Sequence, residues 1–327
     1  MQARRAQTAT IKIAAAVAAL AFASAAAAQT FPAKPIRVVV PFAAGGITDI
    51  LARALGQKLG EALGQPIVID NRPGANSQVG AEIVARAAPD GYTLLVSADT
   101  TFVMNRHLYD KLSYDPLNDF VPVSGLGISP QALVVHPSVP ARSIADLIAL
   151  ARKKPGELNY GTFGVGSSGH LNIELLQSLT GTKFTAVHYK GAAPALTDLI
   201  GGHTHMLFAS ISASLGYIRA GRLRALAVTT ASRADELPEL PTMREFVPGF
   251  EDSIWYGLGV TAGTPPEVIA RLNREINAAL ADPAIAARLK ALGTTVLPGT
   301  PADFARLIAE ETAKWAEVVR RSGAKPD

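Results

Sequence analysis

The sequence contains no cysteine. Disulfide bridges, thiol catalysis and thiolate metal sites are therefore excluded, and the fold must rest on its apolar core. Beyond Ala28 no apolar run approaches the ~20 residues that a membrane-spanning helix needs. Lysines and arginines are scattered, which removes the usual footprint of a nucleic-acid surface. The net charge of +4 is also less than it looks. Arg4, Arg5 and Lys12 lie in the first 28 residues, where no acidic residue offsets them.

That N-terminal stretch reads as an export signal. A basic start leads into a small apolar run from Ile13 to Ala28, and Ala26-Ala-Ala28 offers a cleavage site. The run is rich in alanine and too short for an anchor. Residues 1–28 are therefore assigned to a cleaved signal peptide, which places the mature chain in the periplasm. The remaining residues, about 300, exceed what one core usually holds, so two lobes are expected.

One stretch organises the rest. Ile36-Arg-Val-Val-Val40 is β-branched enough for a strand covered on both faces. Gly45 and Gly46 follow, both free to take positive φ and to let a ligand approach the backbone. Leu51, Leu55, Leu59 and Leu63 then recur at helical spacing. The unit aims a helix N-terminus at the carboxyl end of a strand, where unpaired N–H groups favour an anion. A second such unit spans Gly161–Leu171, so the chain reads as two jaws around a small ligand.

Between and beyond the jaws, strands and helices alternate. Strands are expected at Pro66–Asp70, Tyr92–Ser97, Phe184–His188, Met206–Ala209, Leu223–Thr229 and Trp255–Val260. Helices are expected at Val79–Ala88, Ile144–Lys153, Ala193–Ile200 and Ser214–Ala220. Thr264-Pro-Pro-Glu267 and Thr300-Pro-Ala-Asp303 each order a cap, a proline and a capping acid before a helix. Leu126–Pro130 and the proline-rich stretch ending near Trp255 suit crossings between lobes. The expected fold is α/β and two-lobed, each lobe a mostly parallel sheet flanked by helices. Lobe 1 comprises residues 29–129 and 251–327, and lobe 2 residues 130–250.

The motifs that could carry chemistry are incomplete. Gly164-Val-Gly166-Ser-Ser-Gly169 matches a dinucleotide fingerprint, but no acidic residue stands about 20 positions on to hold a ribose. Neither Ser167 nor Ser168 has the glycines at both flanks that a nucleophile elbow requires. His203 and His205 lack further metal ligands nearby. No metal, cofactor or catalytic residue is assigned. Asp49 sits in the first turn of its helix, suited either to the helix dipole or to a ligand, and Asp99 is equally open. The rival reading is an enzyme on the same α/β scaffold, a hydrolase or a nucleotide-dependent oxidoreductase.

The ordered motifs resemble the Bug-type extracytoplasmic receptors of tripartite tricarboxylate transporters. The resemblance rests on Phe31–Asp49, Asp70-Asn-Arg-Pro-Gly-Ala75, Ala88–Leu95, Tyr114–Pro122, Tyr160–Leu171, His188–Pro194, Leu223–Thr229 and Trp255–Leu258. It implies a type II-like, two-lobed periplasmic binding protein that closes on a small carboxylate and delivers it to membrane permease subunits. Such receptors hold the carboxylate through backbone amides, helix N-termini and ordered water more than through arginine. Pro41–Thr48 and Tyr160–Gly169 indeed contain no Arg or Lys. A sensing role without transport is an alternative that sequence does not separate. The implied ligand-facing residues are Phe42, Ala44, Gly45, Gly46, Thr48, Asp49, Asp99, Thr100 and Thr101 in lobe 1. In lobe 2 they are Gly164, Gly166, Ser167, Ser168, Gly169, His170, Tyr189, Gly191 and Ala192. His205 stands where that family usually has Asp, and His188 where Pro is common, both expected near the ligand-facing loops. The receptor is expected to be a monomer.

Overall fold

A computed structural model describes residues 31–189, 191–322 and 324–325; the signal-peptide reading of residues 1–28 lies outside them. Among the described residues no helix is long and apolar enough to cross a membrane.

The chain forms two sheets. The first has six strands in the order β11-β4-β10-β3-β1-β2. Here β1 is Ile36–Val40, β2 Ile67–Asn71, β3 Thr93–Ala98, β4 Phe120–Ser129, β10 Ile254–Thr261 and β11 Thr295–Val296. The second has five, in the order β7-β6-β8-β5-β9. These are β5 Gln131–Val135, β6 Asn159–Thr162, β7 Thr185–His188, β8 Met206–Ser210 and β9 Arg224–Val228. The chain passes from one sheet to the other at Pro130, between β4 and β5. It returns in the loop between β9 and β10.

The expectation of mostly parallel sheets needs correction. Parallel pairing holds only within β2-β1-β3 and β7-β6-β8. Strands β4, β5, β9, β10 and β11 add antiparallel pairs. The reason is topological. β4 runs directly into β5 across Pro130, and the returning β10 lies beside β4, so the crossing strands enter without the βαβ connection that enforces parallel pairing.

Helix α1 (Ile47–Leu63) buries Leu51, Leu55, Leu59 and Leu63 and ends at Gly64, left-handed at φ 68°. Next in the chain come α2 (Gln78–Ala85) and α3 (Asn105–Leu108), the latter preceded by a π-helical turn, Thr100–Met104. Helices α4 (Ile144–Lys153), α5 (Ser168–Thr180), α6 (Ala192–Ile200) and α7 (Ile211–Arg219) belong with the second sheet. Helices α8 (Pro266–Leu280), α9 (Pro283–Ala291) and α10 (Pro301–Ser322) complete the chain.

The two helix starts read from Thr-Pro motifs differ. At α10 the reciprocal capping box forms. Thr300 Oγ1 accepts from the Asp303 N–H (3.1 Å), and Asp303 Oδ2 accepts from the Thr300 N–H (3.0 Å). At α8 the cap falls on Pro265, and Thr264 does not cap. Its hydroxyl donates back to the Thr261 carbonyl (2.8 Å) because the preceding turn already supplies that acceptor.

Each sheet has its own apolar cluster, yet the largest cluster runs through both. It carries Val39, Phe102 and Trp255 from one side, Leu133, Tyr160 and Phe208 from the other, and Phe304 and Trp315 of α10. Phe102, Trp255 and Phe304 meet pairwise at ring-centroid distances of 5.4–5.9 Å. A Cβ on Gly257 would lie 1.9 Å from Phe304, so the bare backbone there is what admits the ring. The two sheets are thus not independent cores: α10 ties them together.

Candidate functional site

A cavity of about 440 Å³ opens between the two sheets, at the carboxyl ends of β1, β3, β6 and β8. A larger hollow of about 570 Å³ lies behind the crossings, lined mainly by residues 230–236 and by α9 and β11. The smaller cavity is the candidate site because helix starts converge on it. The wall includes Gly46–Thr48 at α1, Ser167 and Ser168 at α5, Ala192 at α6, and Ser210, Ser212 and Ala213 at α7. Two such starts are expected from sequence; four are present.

These helix starts keep donors in hand. At α1 the cap is Gly46, with no side-chain cap. The Ile50 N–H donates to the Gly46 carbonyl, while the N–H groups of residues 46–49 find no acceptor among the described residues. At α5 Ser167 Oγ accepts from the His170 N–H (3.4 Å), leaving the Ser168 and Gly169 N–H groups unpartnered there. Helix α6 also starts without a side-chain cap, at Gly191. Each start carries about half a positive charge. No Lys, Arg or His lines the wall. The arrangement suits an anion held by backbone and dipoles.

Of the eighteen sequence-predicted residues, Phe42, Gly46, Thr48, Asp99, Thr100, Ser167, Ser168 and Ala192 line this cavity. The others lie off the wall. Ala44 and Gly45 are exposed in the adjoining turn, and only Gly45 takes positive φ (88°); Gly46 is extended at φ −76°. Asp49 is buried, accepting from the Gly45 N–H (2.9 Å) and pairing with Arg53. Burial would raise its carboxyl, but Arg53, the Gly45 N–H and Asn71 hold it below its ordinary value. Asp49 therefore braces the turn. Thr101 is spent inside the protein, donating to Ser77 Oγ (2.7 Å).

In the second turn Gly164 and Gly166 take φ of 130° and 74°. The Gly166 N–H is not free, because His170 Nδ1 accepts it (3.1 Å). Burial, followed by the nearby His188, lowers the His170 imidazole to about 4, which keeps it neutral for that task. Gly169 is covered by the Phe163 ring. The Tyr189 hydroxyl donates to Asp198 Oδ2 (2.7 Å), and Gly191 caps α6 beside Ala192.

The two histidines that depart from the family pattern part company. His188 ends β7 on the cavity side, with Nδ1 bonded to Thr162 Oγ1 (2.9 Å). His205 precedes β8 and bonds Asn159 at the start of β6, the opposite end of that sheet from the cavity. Its expected place by the ligand-facing loops is corrected by strand direction. Among the described residues, no group of three or more His, Asp or Glu could hold a metal ion.

Asp99 is the one carboxyl on the wall. Its Oδ1 accepts from the Thr100 N–H (2.6 Å) and hydroxyl (3.2 Å), whereas Oδ2 has no partner among the described residues. Burial, then the charges of Asp252 and Glu311, push it well above the usual carboxylate range. Behind it, Asn172 Nδ2 bonds both Gln131 Oε1 (2.7 Å) and Asp252 Oδ2 (2.8 Å).

Sequence reading missed Gln131, Asn76, Phe163, Leu196, Ser210 and Tyr256 on the wall. Asn76 stands in a run of three left-handed residues, Ala75, Asn76 and Ser77. Such strain gathers at functional sites, and the Pro-Gly-Ala-Asn-Ser composition signalled a turn without saying where it faced.

Residues 51–324 match the model of the tripartite tricarboxylate transporter family receptor. The protein BugT of Bordetella pertussis is 41% identical over 300 residues, covering 91% of this chain and 92% of that one. Among solved structures, Rpa4515 of R. palustris with adipate superposes at a TM-score of 0.80, with 41% identity, over 91% of this chain and all of that one. MatC of Rhodopseudomonas palustris with bound malate superposes at 0.77, with 34% identity, over 88% and 100%.

Proposed function

The chain belongs to the tripartite tricarboxylate transporter receptor family, and on that premise we propose that its two lobes close on a small organic acid in the cavity between them. It is a periplasmic receptor and not an enzyme. The observation that carries the ligand assignment is the meeting of four helix starts in a cavity without a cationic side chain. Hydrogen bonds to a charged acceptor contribute about 1.5–3 kcal/mol each, so a few N–H groups can hold a carboxylate with no salt bridge.

The lobes are read as residues 29–129 with 251–327, and residues 130–250, hinged at Pro130 and at the return into β10. The transport partner is the membrane permease of a tripartite system. We read the receptor as a monomer, exported through a cleaved signal at residues 1–28. Two solved relatives hold adipate and malate, which makes these acids the first probes to try. Binding to the native state alone should stabilise it by about 2.7 kcal/mol at 100 times Kd. A melting screen with both acids tests this, with chromatography to check that the acid is recovered unchanged. Chemical conversion, or stabilisation only by cations or neutral sugars, would overturn the reading.

A further inference from the structure

One part of the cavity wall lies where the crossing strands pass. Asp99 follows β3, Ser129 ends β4, Gln131 opens β5, and Tyr256 belongs to β10, which pairs with both β3 and β4. The hydroxyls of Ser129 and Tyr256 can donate or accept, so they do not fix what this part of the wall prefers. Two other atoms do. Asp99 Oδ2, from the first sheet's side, and Gln131 Nε2, from the second's, are buried with no partner among the described residues. A buried polar atom left so is costly, and a guest or an ordered water normally serves it.

The bonds already made set the sign of both atoms. Asp99 Oδ1 accepts twice from Thr100, through its N–H (2.6 Å) and its hydroxyl (3.2 Å). Oδ2 is therefore the oxygen that carries the proton when the carboxyl is neutral. Burial, then the charges of Asp252 and Glu311, favour that form. Lys314 is engaged by Asp252 (3.7 Å) and Glu311 (2.6 Å). For Gln131 the reference is Asn172. Asp252 Oδ2 accepts from Asn172 Nδ2 (2.8 Å), so that same nitrogen donates to Gln131 through Oε1 (2.7 Å). What remains of the Gln131 amide is Nε2, which only donates. Both open atoms are thus donors waiting for an acceptor.

Resting on the acid-receptor reading above, we propose that the Asp99 Oδ2–H and the Gln131 Nε2–H groups select the ligand's second polar group, donating to acceptor oxygens on it, one lobe to each side, as the lobes close. A carboxylate or carbonyl oxygen satisfies them. An ammonium, which has donors only, does not, and a methyl leaves both atoms as bare as before.

Calorimetry with acids that share a frame and differ only at the far end tests it: adipate, hexanoate and 6-aminohexanoate, and the shorter succinate, butanoate and 4-aminobutanoate. In whichever frame binds more tightly, the diacid should exceed both of the others by about tenfold or more. Asp99→Asn keeps a donor in the same place and should preserve that ratio to within about threefold. Asp99→Leu and Gln131→Met remove one donor each and should each shrink the ratio by about fivefold or more. The ratio is taken within one variant, so general damage to the fold cancels, and if Asp99→Leu does not fold, Gln131→Met and the wild-type series still decide. A methyl- or amino-ended acid binding as tightly as its diacid overturns the inference while leaving the acid-receptor reading intact. So does a ratio unmoved in Gln131→Met, or one lost in Asp99→Asn. Silence from all six acids, in a preparation that melts cooperatively, would remove the acid-receptor reading and this inference with it.

Discussion

The two glycine turns follow one sequence logic, strand then glycines then helix, but they are built differently. The first is open. Gly45 and Gly46 are exposed, a Cβ on Gly45 would meet nothing within 4 Å, and one on Gly46 only the Ala43 carbonyl at 3.6 Å. A single acid, Asp49, braces it from within its own helix. The second is clamped. Gly166 is buried with positive φ, a Cβ there would lie 2.5 Å from Leu108 of α3, and His170 and Ser167 bind its backbone. One turn can be altered at its surface and the other only through the protein. A receptor that closes gains by having one preformed side and one that adjusts.

The largest test of that difference is Gly166→Ala. The left-handed backbone costs about 1–2 kcal/mol for a side chain, and overpacking against Leu108 adds about 1–3 kcal/mol. A denaturant midpoint lowered to match is expected; an unchanged midpoint would mean that the second turn is as loose as the first.

Acidification should separate the turns next. His170 is lowered to about 4 in the native state, whereas the unfolded chain takes up that proton near pH 6.5. Between those values the native state binds fewer protons, so stability is lost as pH falls from about 6.5 towards 4. The full effect is on the order of 3 kcal/mol. The Asp49 contribution behaves otherwise: its lowered carboxyl stabilises above the ordinary Asp value and fails only as pH drops below it. Melting scans from pH 7 to 5 should show a steeper decline for the wild type than for His170→Gln. Parallel slopes would break the distinction.

A smaller effect is expected from Ser167→Ala, which removes the only side-chain cap at these two helix starts. The loss should be about 1 kcal/mol, read in urea, with ligand affinity reduced only modestly. A last pair, whose Gly46 member is the smallest effect of all, sharpens the first turn. Gly45→Ala should cost about 1–2 kcal/mol for its positive φ, while Gly46→Ala should change stability by less than about 0.5 kcal/mol. Equal costs would show that both glycines are conformationally required, as the sequence alone suggests.

That pair also marks how far the sequence could be read. The strand–glycine–helix pattern located β1, α1, β6 and α5 because apolar periodicity is a local signal. It could not say which glycine turns left-handed, because that depends on where Asp49 reaches. Of the eight predicted residues on the cavity wall, Gly46, Thr48, Ser167, Ser168 and Ala192 sit at helix starts, and Phe42, Asp99 and Thr100 just past the carboxyl ends of strands. Asp49, Thr101 and His170 did not reach it, because their polar atoms are spent on the protein itself: on Gly45 and Arg53, on Ser77, and on Gly166. Gln131 and Leu196 were invisible, since nothing local distinguishes a wall residue from an ordinary core residue. The antiparallel half of each sheet was missed for the same reason: β4 and β10 are neighbours only after the chain has crossed twice.

The helix that joins the two sheets bears on how the chain acquires its fold. Phe304 packs on Phe102, about 200 residues earlier in the sequence, and Trp315 joins the same cluster, so the largest apolar cluster has high contact order. Phe102 and Trp255 can meet each other, and Phe102 can meet Phe120, earlier, but they lack the Phe304 ring until the 22-residue helix α10 has been made. Completion of the core waits for α10, and a chain that stops before it leaves apolar surface open to chaperones. For a polypeptide bound for the periplasm that delay is useful, because a chain that folds late can still be threaded through a membrane.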